Sequence, residues 1–133
     1  MIAIDQQRVR PGMEGLSNEA LLQVAGYFQA LSEPTRLQIL NFLREEERNV
    51  GELAQLCGCS SANISRHLAL LTQHGLVTRE SRGNSAYYAI ADESVYQLCD
   101  LVCGSIARQI ERTAPKRAAF ALPAATPRRS RAR

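Results

Sequence analysis

The chain has 133 residues, 45% of them hydrophobic and 22% charged, which suits one domain with a modest core. No apolar run approaches the ~18 residues of a membrane span, and the start MIAIDQQRVR lacks a signal-peptide pattern, so a cytoplasmic protein is expected. The formal charge of +3 hides a division: residues 1–113 hold ten Arg and thirteen acidic residues, whereas residues 114–133 hold Lys116, Arg117, Arg128, Arg129, Arg131 and Arg133 with no acid, so any nucleic-acid affinity must come from local charge placement plus the tail.

Residues 1–16 contain Pro11, Gly12 and Gly15 without periodicity and read as a flexible arm. Ser17 is placed to cap a first helix, with Leu16 and Leu21 as a hydrophobic staple and Leu21, Val24, Ala25, Phe28 and Leu31 along one face. The segment SEPTR predicts a second helix with Ser32 as N-cap and Pro34 in the first turn; Leu37, Leu40 and Leu43 point inward, and Ile39 and Phe42 widen the face. Glu45, Glu46, Glu47 and Arg48 end it as a solvated turn. Asn49 and Glu52 have capping-box spacing, which predicts a third helix from Val50 to about Cys57 with Val50, Leu53, Ala54 and Cys57 inside.

Gly58 closes a tight turn, and Ser60 caps a further helix in which Ile64, Leu68 and Leu71 make one apolar stripe. Its other face carries Ser61, Asn63, Ser65, Arg66 and His67. Short hydrogen-bonding side chains with one strong cation are what base edges and phosphates require. Gly75 ends this helix beside His74. The following LVTRESRGNSAYYAI reads as a two-stranded ribbon turning at Arg82-Gly83-Asn84-Ser85, with Tyr88 and Ile90 inward and Arg79 and Arg82 available to phosphates.

Asp92 is placed to cap a last helix reaching about Arg112, with Val95, Leu98, Cys99, Val102, Ile106, Ala107 and Ile110 on its apolar side. Twenty helical residues span about 30 Å, more than so small a domain needs for its own core. An exposed remainder is best buried against a second copy. The organisation expected is an arm (1–16), one mainly α domain with a small β-hairpin wing (17–112), and a basic tail (113–133) without fixed structure.

In its order of elements, and in LSEPTRLQIL (31–40), ISRHLALL (64–71) with GLV (75–77) and the YYAI strand (87–90), the chain resembles the ArsR/SmtB family of winged helix-turn-helix repressors. The resemblance covers about residues 18–112. It implies a homodimer, built from the first and last helices, that sits on a near-palindromic double-stranded DNA operator until an inducer binds. The positions it implies for DNA contact are Ser61, Ala62, Asn63, Ser65, Arg66 and His67, with Arg82 in the wing.

The family's thiol-rich metal site on the third helix has its matching positions at Asn49, Gly51 and Ala54, and no histidine occurs in residues 92–112 for the zinc or cobalt site of the last helix. What remains is Cys57 and Cys59, which bracket the turn before the reader helix, and Cys99 and Cys103, four apart on one face. These thiols are candidates for a soft ion such as As(III), or Zn²⁺ or Cd²⁺ with four sulfurs. The soft ion is the favoured reading; thiol redox or persulfide chemistry, or a packing role as small hydrophobes, are the alternatives. A small enzyme is the rival class. No Cys-x-x-Cys, no His-Glu-x-x-His and no glycine-rich phosphate loop supports it, so a non-enzyme is expected.

Overall fold

Short polar side chains start the helices, and the computed structural model, which describes residues 13–113, places them closely to expectation. Ser17 Oγ accepts from the Ala20 N–H at 3.1 Å and opens α1 (Asn18–Ala30). Asn49 and Glu52 form a reciprocal capping box at 2.8 and 3.0 Å and open α3 (Val50–Cys57). Ser60 Oγ accepts from the Asn63 N–H at 3.1 Å and opens α4 (Ser61–Gln73). Each such bond satisfies a donor that the helix itself leaves open.

The cap of α2 (Pro34–Leu43) differs from expectation. Glu33, not Ser32, is the N-cap: its Oε1 accepts from Thr35 and Arg36 N–H at 2.7 and 3.1 Å. Ser32 instead donates its hydroxyl to the Gln29 carbonyl at 2.8 Å, at the end of α1. Pro34 fixes this register, because proline occupies the first helical position and the cap is the residue before it. Asp92 is displaced in the same sense. The N-cap of α5 (Ser94–Glu111) is Glu93, which makes no side-chain cap, while Asp92 Oδ1 accepts from the Ser94 N–H at 2.9 Å.

The ribbon is β2 (Val77–Arg82) and β3 (Ser85–Ile90), antiparallel, with Gly83 and Asn84 as the loop. A third strand, β1 (Arg48–Asn49), pairs with β3 through Arg48↔Tyr88 and gives the order β1-β3-β2. This corrects the reading of Arg48 as part of a solvated turn. Its Nε donates to the Phe42 carbonyl at 3.0 Å and its guanidinium meets Glu45 and Glu46 at 3.3 Å. The arginine thereby ties the end of α2 to the sheet edge.

The chain divides after Ala91 into two units. In the first, α2, α3 and α4 pack on one another and the sheet closes against them. Ile39, Leu53, Ile64, Leu68 and Leu71 are fully buried, with Leu40, Leu43, Ala54, Leu76, Val77 and Tyr88 around them. Burying an aliphatic side chain of this size contributes about 1.5–3 kcal/mol, so this set holds α4 in place. Leu37, expected inward, is 39% exposed, because the buried face of α2 follows Ile39, Leu40 and Leu43.

α1 reaches the end of α4 at Gly26. A Cβ there would lie 2.8 Å from His74 Cε1, so a side chain at this position would make the imidazole shift. In the second unit Val95 and Tyr96 are buried at the start of α5, while Leu101 and Val102 are exposed. Among the described residues no helix is long and apolar enough to cross a membrane. The expected arm as far as residue 12, and the basic tail from residue 114, lie outside the described residues.

Candidate nucleic-acid interface

Helix α4 is set by two glycine turns. At Gly58, φ is +69°, a left-handed conformation that a side chain would strain, and the turn is closed by Cys59 N–H to Ala54 O at 3.0 Å. At the other end Leu76 N–H reaches Leu71 O at 2.9 Å and Gly75 N–H reaches Thr72 O at 3.0 Å, the paired bonds of a Schellman end. Between these turns α4 buries Ile64, Leu68 and Leu71 completely. Ser61, Ala62, Ser65 and Arg66 are exposed on its opposite side. Asn63 is half-buried, and its Oδ1 accepts a close bond from Arg66 Nη2. The guanidinium of this exposed residue is thus steadied one turn back along the helix.

His67 sits differently from the other residues expected to contact DNA. Its side chain is only 14% exposed. Arg36 Nη1 lies 3.1 Å from its Nδ1, and Glu33 Oε1 is 3.9 Å from its Nε2. Arginine only donates, so Nδ1 is the acceptor and the neutral ring carries its proton on Nε2. Burial pushes the Glu33 carboxyl up, but the backbone N–H groups of Arg36 and Thr35, with the charge of Arg36, outweigh it and hold it below the usual range.

The wing arginine is also engaged. Arg82 Nη1 and Nη2 form a bidentate pair with Glu47 at 2.6 and 2.8 Å, and Nη2 meets Glu80 at 2.8 Å. Its guanidinium carbon lies 4.8 Å from the Tyr87 ring centre. The Arg82 hydrogen bond holds the Glu47 carboxyl below the usual range, and Glu47 and then Glu80 raise the guanidinium further above its own. Arg79 is exposed beside it and donates to Ser81 at 3.4 Å.

All four cysteines are half-buried. The Cys59 thiol donates to the Cys57 carbonyl at 3.6 Å, so this pair lies at the turn into the reader helix. Burial, and then the neighbouring Cys59, push the Cys57 thiol up. Cys99 and Cys103 lie on α5, in the second unit. Among the described residues no group of three or more His, Cys, Asp and Glu side chains could hold a metal ion.

The roles of Arg36, Glu33 and Glu47 escaped the sequence reading. Pro34 at the first helical position was the available signal for Glu33; the other two depend on contacts with residues 31 and 35 positions away.

This arrangement of α3, turn, exposed α4 and wing matches known proteins. The family described as a helix-turn-helix domain matches residues 31–80. The HTH-type transcriptional regulator NmtR of Mycobacterium tuberculosis is 39% identical over 85 residues, 64% of this chain and 71% of NmtR. The transcriptional repressor SmtB homologue of Synechocystis is 32% identical over 99 residues, 74% of each chain. The chain belongs to the ArsR/SmtB family of winged helix-turn-helix transcriptional regulators. The solution structure of the homodimeric winged helix-turn-helix DNA-binding domain of Mb0332 from Mycobacterium bovis is similar at a TM-score of 0.63 and 38% identity, covering 75% of this chain and 95% of that fragment. Placed in the ArsR/SmtB frame, α4 is the reader helix and β2–β3 the wing.

Proposed function

We propose that the protein is a homodimeric repressor that reads a near-palindromic DNA operator with α4 and is released by an effector acting on its cysteines. The observation that carries the DNA reading is the split of α4 into a fully buried stripe and an exposed set of Ser61, Ala62, Ser65 and Arg66. Small side chains at the helix start let the backbone approach a groove, while Arg66 offers a forked donor matched to a guanine edge. Asn63 steadies Arg66. His67 belongs to the same surface by position but is held from behind by Arg36. No catalytic role is assigned to any residue.

Pairing of two copies is supported by apolar side chains that each unit leaves in solvent. On α1 Leu22 is 71% exposed and Phe28 49%; on α5 Leu101 is 72% exposed. An open groove along α1 is lined by Leu16, Val24, Tyr27 and Phe28 among others. Exposure on this scale is costly for a monomer and is relieved by a second copy. The relative Mb0332 is homodimeric.

Arg82 is proposed to meet phosphate in the wing, in exchange for its carboxylate partners. Arg82→Ala is then expected to lower the slope of log affinity against log salt by about one. Glu47→Gln, which removes the bidentate one of its two carboxylate partners, is expected to tighten binding on the order of two- to fivefold. Affinity measured at several salt concentrations checks both. Weaker binding by Glu47→Gln would argue that Glu47 positions Arg82 for DNA.

For the effector, the position of Cys57 and Cys59 at the turn into α4 supports a thiophilic ion such as As(III), Cd²⁺ or Zn²⁺, with oxidation or persulfide as the alternative. Metal binding and oxidation both need the thiolate, so the raised Cys57 thiol weakens each at neutral pH and does not separate them. Cys57 and Cys59 are placed to act on the turn, and Cys99 and Cys103 form a second pair on α5. As(III) is expected to release wild-type protein from its own upstream DNA, and Cys57→Ser with Cys59→Ser to abolish that response. Equal release of Cys57→Ser, Cys59→Ser, Cys99→Ser and Cys103→Ser variants would leave the cysteines as packing residues only. Release by peroxide or persulfide, but by no metal, would favour thiol redox sensing.

A further inference from the structure

One guanidinium joins three helices behind the reader. Arg36 Nε donates to the Ala30 carbonyl at 2.6 Å and Nη2 to the Gln29 carbonyl at 3.2 Å, at the end of α1. Its Nη1 reaches His67 Nδ1 on α4, and its own N–H is held by Glu33 in the N-cap of α2. His67 is the residue directly after Arg66, and its side chain is 14% exposed. The apolar stripe of Ile64, Leu68 and Leu71 fixes how deeply α4 sits, but hydrophobic contact is non-directional. A hydrogen bond has a direction, and this one acts at the edge of the exposed face. It therefore limits the rotation of α4 about its own axis, the coordinate that aims Arg66 and Ser65.

We propose that Arg36 is a positioning residue for operator reading, acting through the Nδ1 acceptor of His67 to fix the rotation of the reader helix. Glu33 completes the arrangement by anchoring the start of α2 under the guanidinium and by facing Nε2. The inference rests on α4 being the DNA reader. Base readout needs donors placed within a fraction of an ångström, whereas phosphate contacts tolerate small rotations, so a loosened helix loses sequence preference before it loses DNA affinity.

The test uses the full chain, with a duplex selected by the wild-type protein from a random pool and a scrambled duplex of the same composition. Arg36→Ala and His67→Leu are each expected to weaken binding to the selected duplex by about tenfold and to the scrambled duplex by less than about twofold. The double variant is expected to lose no more than either single one, because both remove the same interaction. His67→Asn, whose Oδ1 takes the place of Nδ1, is expected to retain most of the preference. Arg66→Ala serves as the control for the reading itself.

A His67→Leu loss that Arg36→Ala does not share would overturn the proposal and make His67 a direct DNA contact. Losses that are equal on both duplexes, or that add in the double variant, would also overturn it. Should Arg36→Ala melt below the assay temperature, the contrast between His67→Leu and His67→Asn decides: equal specificity loss in both contradicts the proposal. If Arg66→Ala binds both duplexes as wild type does, the reading of α4 fails, independently of Arg36.

Discussion

Leu68→Ala is expected to remove a large part of the protein's stability, about 2–5 kcal/mol where a whole domain has about 5–15. Leu68 is fully buried at the centre of the α4 stripe, between Ile64 and Leu71. Truncation removes apolar burial and leaves a cavity that three packed helices and a sheet cannot readily close. Chemical denaturation with an unchanged m-value checks this as a stability loss. Leu22→Ala on α1 is the contrast. That side chain is 71% exposed, so within one copy its removal should cost little. An unchanged denaturation midpoint for Leu68→Ala would mean that α4 is not anchored by this stripe.

The second large effect concerns recognition. Arg66→Ala is expected to weaken operator binding by about 1–3 kcal/mol, roughly five- to two-hundredfold, with little change in stability. The side chain is exposed and its intramolecular partner is Asn63, so folding does not depend on it. The loss should also relax preference at one base position in each half-site, as removal of a base-reading fork does. A uniform loss across sequences, with a lowered salt slope, would instead assign Arg66 to phosphate. Full-length protein and selected duplexes permit both measurements in one titration series.

Much of the fold was legible because its signals are local. Ser17, Ser60 and the Asn49–Glu52 pair lie within three residues of the N–H groups they satisfy, and the Ile64, Leu68 and Leu71 spacing identified a buried stripe without tertiary information. Errors arose where two local rules competed. Ser32 is a better cap than Glu33 by residue type, yet Pro34 at the first helical position decides in favour of Glu33. Leu37 fits an i, i+3 series with Leu40 and Leu43, but the contact surface follows Ile39.

The features that long-range contacts create were not legible. Strand β1 exists because Arg48 and Asn49 pair with Tyr88 and Tyr87, about forty residues on. His67 has the composition of a DNA-facing donor and is turned inward by an arginine 31 residues earlier. Arg82 was placed correctly on the wing, but its pairing with Glu47 depends on the turn after α2 meeting the wing. The exposed face of α4 and the wing could thus be outlined from sequence, whereas what holds and counterbalances their charges could not.

The proposed dimer sets its two copies of α4 into successive major grooves, about 34 Å or 10–10.5 base pairs apart. Wild-type affinity for duplexes carrying two selected half-sites at ten- and at fifteen-base-pair spacing tests this most directly. The expected result is tight binding at the one-turn spacing and a fall to near non-specific affinity at one and a half turns, where the second site faces away. Equal affinity at both spacings would contradict a dimer that reads DNA with its two α4 helices.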